Sequence, residues 1–283
     1  MVKRLGLALL AGVLCASTAG AVHDSDVTDL EQKCMVAQSK AGVKFVACKA
    51  KCASKCYAGS RKVPPLHPES DCMPPYGGPT LVCIAGALKG CEAKAIAAID
   101  KKCVEVAGKT ECPECYSARG GAADCTGHGT GVVVAGLSNP AADSLETQVD
   151  NFAFVFCSDG PNTAAEDKCE QGLAKGLVKF VGCKQKCYDK CNGAQHKGTI
   201  PPGSCNPPLP TDGATQDCLF EPLKGCEAKA VAACDKACFI PPADKPECYG
   251  FACPGIVSLV ETAIDGNIPS TYCGSPSGAF LAD

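Results

Sequence analysis

The order and spacing of the cysteines constrain this chain more than any other feature, because the same pattern occurs twice. Cys34 and Cys48 are 14 positions apart, as are Cys169 and Cys183, and both runs continue as C-x3-C-x3-C. The two copies are offset by 135 residues at the first cysteine, which is an ordinary length for one domain. The pattern therefore predicts a duplicated domain rather than a solenoid, whose period would be roughly 20–50 residues.

The repeat extends beyond these cysteines to three further pairs of matching segments. They are LKGCEAKAIAAIDKKC (88–103) with LKGCEAKAVAACDKAC (223–238), PECY (113–116) with PECY (246–249), and LETQVD (145–150) with VETAID (260–265). We therefore divide the chain into a first cysteine-rich repeat over residues 22–160 and a second over residues 161–283.

The amino terminus predicts secretion. It begins with the basic stretch MVKR, continues as the apolar run LGLALLAGVLCA and reaches the small-residue cleavage signal Ala19-Gly20-Ala21. The apolar run is too short to span a membrane, so residues 1–21 are predicted to be a signal peptide. No later run is apolar enough for a transmembrane helix. One of the 25 cysteines lies in this segment, which leaves an even number for disulfides. We expect the protein to be secreted, periplasmic or at the cell surface.

Composition narrows the class of protein further. Cysteine makes up about 9% of the chain, which is in the range of secreted disulfide scaffolds. The net charge is −3, and the basic patch that nucleic-acid binding requires is not present in the sequence. Because the chain has no Trp and few other aromatic residues, its core must consist of small aliphatic side chains and cystine.

Helices separated by proline-rich loops make up most of the predicted structure. Each repeat is predicted to contain a long helix, a second helix and a shorter third helix. Their ranges are 28–57, 84–106 and 141–151 in the first repeat, and 164–191, 219–239 and 254–265 in the second. Short strands are compatible with residues 129–136 and 151–157. The predicted fold is all-α, with two tandem disulfide-stapled helical-hairpin domains, Pro-rich loops and little or no strand.

The long helix of each repeat carries its cysteines on one face. At 100° per residue, Cys34, Cys48, Cys52 and Cys56 fall within a stripe about 80° wide, whereas lysines such as Lys49 lie mainly on other faces. An antiparallel second helix would bring its own cysteines opposite this stripe. The spacing predicts six disulfides: Cys34–Cys103, Cys48–Cys91, Cys56–Cys72, Cys169–Cys238, Cys183–Cys226 and Cys191–Cys205.

Two cysteines have no counterpart in the other repeat. They are Cys112 in the first repeat and Cys234 in the second. Each repeat otherwise has an odd set of shared cysteines, so we expect each unmatched cysteine to bond to the same shared one. Our preferred partners are the terminal cysteines, Cys157 and Cys273. The alternative is a bridge between the repeats from Cys112 to Cys234.

The C-x3-C-x3-C stripe resembles the cysteine-lined helices of bacterial copper storage proteins. The resemblance covers only the helices around 34–56 and 169–191, and it implies thiolate ligands for Cu(I) or Zn. Its candidate metal ligands are Cys48, Cys52, Cys56, Cys183, Cys187 and Cys191. The preferred interpretation of the same cysteines is structural disulfides, with no cofactor and no resident metal.

Three other motifs suggest chemistry. Cys112-x2-Cys115 has the spacing of a redox pair but lacks a strand–helix context. The stretch 127–130, GHGT, resembles the histidine motif of subtilases, but the serine and aspartate motifs are missing, so we interpret it as a glycine-rich loop. The pairs Glu146/Asp150 and Glu261/Asp265 recur one helical turn apart. As a functional site, these carboxylate pairs would bind Ca²⁺ or a basic partner. The alternative interpretation is a solvated helix face or a partner for a neighbouring lysine.

The sequence favours a secreted structural, adhesive or binding protein without catalytic activity. Its partner would be an unidentified protein or cell-surface component. The alternative is a thiol-based Cu(I) or Zn protein, and a secreted hydrolase is third. The lysine–alanine–cysteine helices and the E-T-x-[VI]-D stretch also resemble uncharacterised secreted proteins of cysteine-rich bacterial lineages, a resemblance that implies no activity.

Overall fold

The computed structural model describes residues 21–22, 27–117, 121–136, 144–150, 155–157, 162–239, 245–246, 249–250, 252–273 and 280–281. Within these ranges the regular secondary structure is almost entirely helical. The helices of the first repeat are α1 (Asp29–Ser60), α2 (Gly78–Ala85), α3 (Cys91–Cys103), α4 (Glu114–Ser117), α5 (His128–Thr130) and α6 (Leu145–Asp150). Those of the second are α7 (Ala164–His196), α8 (Gly213–Phe220), α9 (Cys226–Cys238) and α10 (Cys253–Thr271).

The two long helices begin with the same local signal. Thr28 caps α1 by accepting from the backbone of Glu31, whose carboxylate accepts from the backbone of Thr28 in return. Thr163 and Glu166 make the same capping box at the start of α7. Such reciprocal bonds satisfy backbone donors that the first turn leaves unpaired. Both helices continue a few residues beyond their predicted ends.

The predicted second helix of each repeat is in fact two helices. In the first repeat α2 ends at Ala85 and α3 begins at Cys91, with a tight turn over 86–90 between them. A Cβ at Gly90 would lie 2.5 Å from backbone atoms of Gly86, so only glycine allows this close approach. Gly225 approaches Glu221 in the same way between α8 and α9. The predicted range was wrong because helical composition continues across the turn.

Disulfides fasten α2, α3 and the preceding loop to α1, and the second repeat has the same arrangement. All six pairs predicted from the helix spacing are bonded in the structure: Cys34–Cys103, Cys48–Cys91, Cys56–Cys72, Cys169–Cys238, Cys183–Cys226 and Cys191–Cys205. Each repeat adds one further bond to this ladder, Cys52–Cys83 or Cys187–Cys218. Because these bonds join successive helical turns to the partner helix, the hairpin is crosslinked along its length.

The partners predicted for the unmatched cysteines were wrong. Cys112 bonds to Cys125, and Cys234 bonds to Cys253, so neither reaches a terminal cysteine and they do not bond to each other. Each new partner is the cysteine that immediately precedes the terminal one of its repeat, so the two unmatched cysteines do bond to equivalent positions. The terminal Cys273 bonds instead to a residue of the first repeat, Cys115, and this bond joins the two repeats covalently.

The two repeats pack through their long helices. Ser39 of α1 donates to Asp189 of α7, while Arg61 of α1 binds Asp167 of α7, so the two helices run antiparallel. Val43 packs against Gly182 where they cross. Because residues 135 positions apart are equivalent, this arrangement relates the repeats by an approximate two-fold axis near the crossing.

The ends of the repeats are exchanged across this axis. Tyr116 of the first PECY segment donates to the carbonyl of Thr271 in the second repeat at 2.9 Å. Tyr249 of the second PECY segment donates to the carbonyl of Val155 in the first. Each carbonyl lies two residues before a terminal cysteine, so the exchange is reciprocal. Each repeat therefore completes its core with the final segment of the other.

Strand content is limited to one two-residue pair among the described residues. Ala21–Val22 (β1) pairs antiparallel with Phe280–Leu281 (β2). The strand suggested for 129–136 is instead part of α5 and a π-helical turn over Gly131–Ala135. Residues 155–157 are not a strand. The rest of that predicted segment and residues 1–20 of the predicted signal peptide lie outside the described residues. No helix in the described part of the chain is long and apolar enough to cross a membrane.

Candidate functional site

A cavity of ≈ 280 Å³ lies between the two repeats, bordered by α1, α7, α6 and α10 and partly open to solvent. Its walls are mainly aliphatic, with Val46 from α1, Val181 from α7, and Val149 and Ile264 from the two third helices. These four side chains are only partly buried although they lie among the packed helices. An apolar cavity with a few polar groups is the usual form of a small-molecule site, and the volume is near the lower end of the roughly 300–1,000 Å³ range.

The cavity is long and narrow. On α1 its lining residues run from Gln38 to Ala53, which corresponds to about 22 Å of helix axis at 1.5 Å per residue. A volume of ≈ 280 Å³ spread over that length leaves a narrow channel. The channel has the proportions of an extended chain rather than a compact ring system.

A buried lysine with two carboxylates forms part of the cavity wall. The ammonium of Lys49 is 2.5 Å from Glu146 Oε1 and 2.6 Å from Asp150 Oδ1, and its side chain is 1% exposed. Tyr76 also donates to Asp150 at 2.9 Å. Burial raises the pKa of Glu146, an effect that the neighbouring ammonium opposes. Burial also raises the pKa of Glu92, and the Glu146 carboxylate raises it further.

The second repeat contains the same cluster. Lys184 is fully buried, with its ammonium 2.5 Å from Glu261 and 2.8 Å from Asp265. Burial raises the pKa of Asp265 and of Glu227, the counterpart of Glu92. The repeated carboxylate pairs are therefore internal ion-pair partners rather than a Ca²⁺ site or a solvated face. Their lysines come from the long helix and not from the helix that carries the carboxylates.

One end of the cavity carries a polar network. Ser39 donates to Asp189 Oδ1 at 2.6 Å, and Tyr272 donates to the same oxygen. The amide of Gln185 lies 3.5 Å from the Tyr272 hydroxyl. Next to them, Gln38 Oε1 accepts from His128 Nε2 at 2.7 Å. This network lies at the junction of α1, α7 and the end of α10.

The GHGT segment contacts this network through His128 and does not form a hydrolytic triad. His128 is buried and stacks on Tyr116 with ring centroids 4.1 Å apart. Burial lowers the pKa of His128 to about 4, so the imidazole is neutral near pH 7. Gly129 donates its backbone N–H to Asp100. The segment was predicted as a glycine-rich loop, but the structure shows a helical turn, because the chain packs against α3.

The candidate metal ligands are all oxidised. Cys48, Cys52, Cys56, Cys183, Cys187 and Cys191 are each in a disulfide. A cystine sulfur is not the thiolate that Cu(I) or Zn requires. Cys112 and Cys115 belong to two different disulfides, so the C-x2-C spacing does not mark a redox pair.

Sequence reasoning missed Lys49 and Lys184 as site residues. They looked like ordinary lysines of an amphipathic helix. The available signal was their equivalence, since each follows the second cysteine of the stripe and each repeat also preserves a Glu/Asp pair. Comparison of the chain with protein-family models, curated proteins and solved structures gives no match, so the functional argument rests on the residues themselves.

Proposed function

We propose that this protein is a secreted, non-enzymatic binding protein that holds a small apolar molecule between its two repeats. The observation that carries the proposal is the ≈ 280 Å³ cavity with aliphatic walls. Disulfides on both hairpins hold these walls in place, so the space does not have to be formed by the ligand. A preorganised apolar site gains affinity because little ordering entropy is lost on binding.

The surroundings of the cavity favour binding over catalysis. The ammonium of Lys49, the charged residue of the lining, is bound by two carboxylates. His128 does not line the cavity, and its Nε2 donates to Gln38. The GHGT segment therefore gives no support to a hydrolase. Secretion is part of the proposal because a chain so rich in disulfides is stable only in an oxidising compartment.

Fluorescence of N-phenyl-1-naphthylamine tests the proposal. The full mature chain is expected to bind this apolar probe with enhanced emission. Ala263, on α10, lines the cavity, so Ala263→Phe should fill the space and weaken probe binding by about tenfold or more. Ser258→Phe, at an exposed position of the same helix, is the matched control and should bind normally. Equal binding by both variants, or no binding by the wild type, would overturn the proposal.

Stacked disulfides favour a second candidate function, thiol-based Cu(I) or Zn binding by a reduced form. Cys52 Sγ lies 3.6 Å from Cys91 Sγ of the neighbouring disulfide, and Cys187 Sγ lies 3.5 Å from Cys226 Sγ. Reduction would therefore place three thiols together in each repeat. Free-thiol titration of protein isolated from its native compartment separates the candidates: many thiols with bound copper support metal binding, and almost none contradict it.

A further inference from the structure

The two-fold relation between the repeats gives most lining residues of the cavity an equivalent at its other end. A symmetric cavity would have identical ends, so differences between equivalent residues show how the ends have diverged. At four such pairs both members line the cavity and one is polar while the other is apolar. These pairs are Ser39 with Ala174, Gln185 with Ala50, Thr271 with Val155, and Gln148 with Ala263. Gln148 is already engaged, because its side-chain oxygen accepts from the Asn267 amide.

Three of the four polar members, Ser39, Gln185 and Thr271, lie together. Ser39 and Tyr272 both donate hydrogen bonds to Asp189, and the Tyr272 hydroxyl contacts Gln185. Thr271 is the residue before Tyr272 in the chain. Their three apolar counterparts lie at the opposite end, where Phe156 and Ala53 also line the cavity. The two ends of the channel therefore differ in polarity, because one is polar and the other is aliphatic.

Charge at the polar end selects among head groups. Of the described lining residues only Lys49 is charged, and it lies towards the aliphatic end with its ammonium bound by Glu146 and Asp150. The polar end instead has the Asp189 carboxylate behind it. An anionic head would meet this like charge without a cation to pair with, and desolvating it would be costly. Hydroxyl and amide groups face no such penalty.

We infer that the ligand is a neutral amphipathic molecule with an extended aliphatic chain and a hydroxyl head at the Ser39–Gln185–Thr271 end. This inference rests on the proposed binding function and specifies its ligand class. The aliphatic chain would lie along the roughly 22 Å channel towards Val155 and Ala174. The head would exchange hydrogen bonds with side chains that have no polar counterpart in the other repeat.

Displacement of N-phenyl-1-naphthylamine by two ligands with the same chain tests the inference. 1-Dodecanol is expected to displace the probe at a concentration about tenfold lower than dodecanoate, because the unpaired anionic charge beside the Asp189 carboxylate is worth that much. The variant Gln185→Ala with Thr271→Val gives the polar end the residues of the aliphatic end. It should still bind the probe, and its preference for dodecanol should fall to about twofold.

Thr271→Val alone is the milder variant if the double variant does not fold, and it should reduce the preference in the same direction. Ala174→Ser, at the aliphatic end, is the matched control and should leave the preference for dodecanol unchanged. Equal displacement by dodecanol and dodecanoate, or a preference that the polar-end variants leave intact, would overturn the inference while the proposed function stands. Absence of probe binding by the wild type would overturn both.

Discussion

At the scale of single residues, the costliest electrostatic feature is the burial of the ammonium groups of Lys49 and Lys184. An ammonium at 0–1% exposure is tolerated only because two carboxylates bind it at 2.5–2.8 Å in each repeat. Removing one partner of a buried pair leaves the remaining charges uncompensated, which costs far more than an exposed pair contributes. The clusters therefore specify how α6 and α10 dock onto the long helices.

Replacing Lys184 by methionine is expected to lower the free energy of unfolding by roughly 3–5 kcal/mol, because Glu261 and Asp265 would remain buried without their cation. The loss should be smaller at mildly acidic pH, since burial already raises the pKa of Asp265 and protonation removes its charge. Denaturant unfolding at two pH values measures this. Lys186→Met, at an exposed position of the same helix, should change stability by no more than about 0.5 kcal/mol.

His128 is expected to make stability depend on pH. Burial lowers the pKa of His128 from 6.5 to about 4, so the folded state favours the neutral ring. Its contribution is therefore fully present above pH 6.5 and is lost as pH falls towards 4, with a total of roughly 2–3 kcal/mol. Unfolding free energies of wild type and His128→Phe should diverge at neutral pH and converge on acidification. A constant difference between them would contradict this assignment.

At the scale of elements, each hairpin relies on its disulfide ladder more than on its apolar core. The bonds on α1 close loops with sequence separations of 16 to 69 residues. Such closures are worth about 3–4 kcal/mol each through restriction of the unfolded chain. The core that they supplement has no Trp, and cystine is its most frequent component. Contrary to the sequence expectation, it also contains buried aromatic rings such as Phe45, Phe180, Tyr116 and Tyr188.

Full reduction is therefore expected to unfold the helices. Far-ultraviolet circular dichroism in native buffer with excess dithiothreitol should show loss of most of the helical signal. Reoxidation should restore this signal only if the native cysteine pairs form again. Thiol quantification in the same sample serves as the control that reduction is complete. Intact helicity with all thiols free would contradict the dependence on disulfides.

At the scale of the whole molecule, the two repeats form one unit. The Cys115–Cys273 bond, the antiparallel packing of α1 with α7 and the exchanged tyrosine hydrogen bonds all cross between them. Arg61 adds a bridge from α1 to Glu170 at 2.6 Å. The cavity depends on this union, because each repeat supplies only part of its wall.

Cutting the chain between the repeats should leave them covalently joined. A protease site inserted at the 160/161 boundary would give a single species of full mass on a non-reducing gel after cleavage, because Cys115 and Cys273 belong to different fragments. Reduction should release two fragments, and the uncut protein with the same insertion is the control. Two fragments on the non-reducing gel would show that the repeats are separate units.

Helical periodicity and cysteine spacing were enough to predict the helical fold class and six of the disulfides. The reason is local: a helix places residues at fixed angles, so cysteine spacing on one helix matches cysteine spacing on its hairpin neighbour. The same local argument failed at 86–90 and 221–225, where helical composition continues across a turn that depends on close backbone packing.

How the repeats join, where Lys49 and Lys184 point and how the long helices border a cavity all depend on tertiary contacts. These features arise from contacts between residues about 70 to 160 positions apart, such as Lys184 with Glu261 and Cys115 with Cys273. A lysine on an amphipathic helix has the same local pattern whether it meets water or a carboxylate. Its burial is set by the surface that packs against it, and here that surface comes from a distant part of the chain.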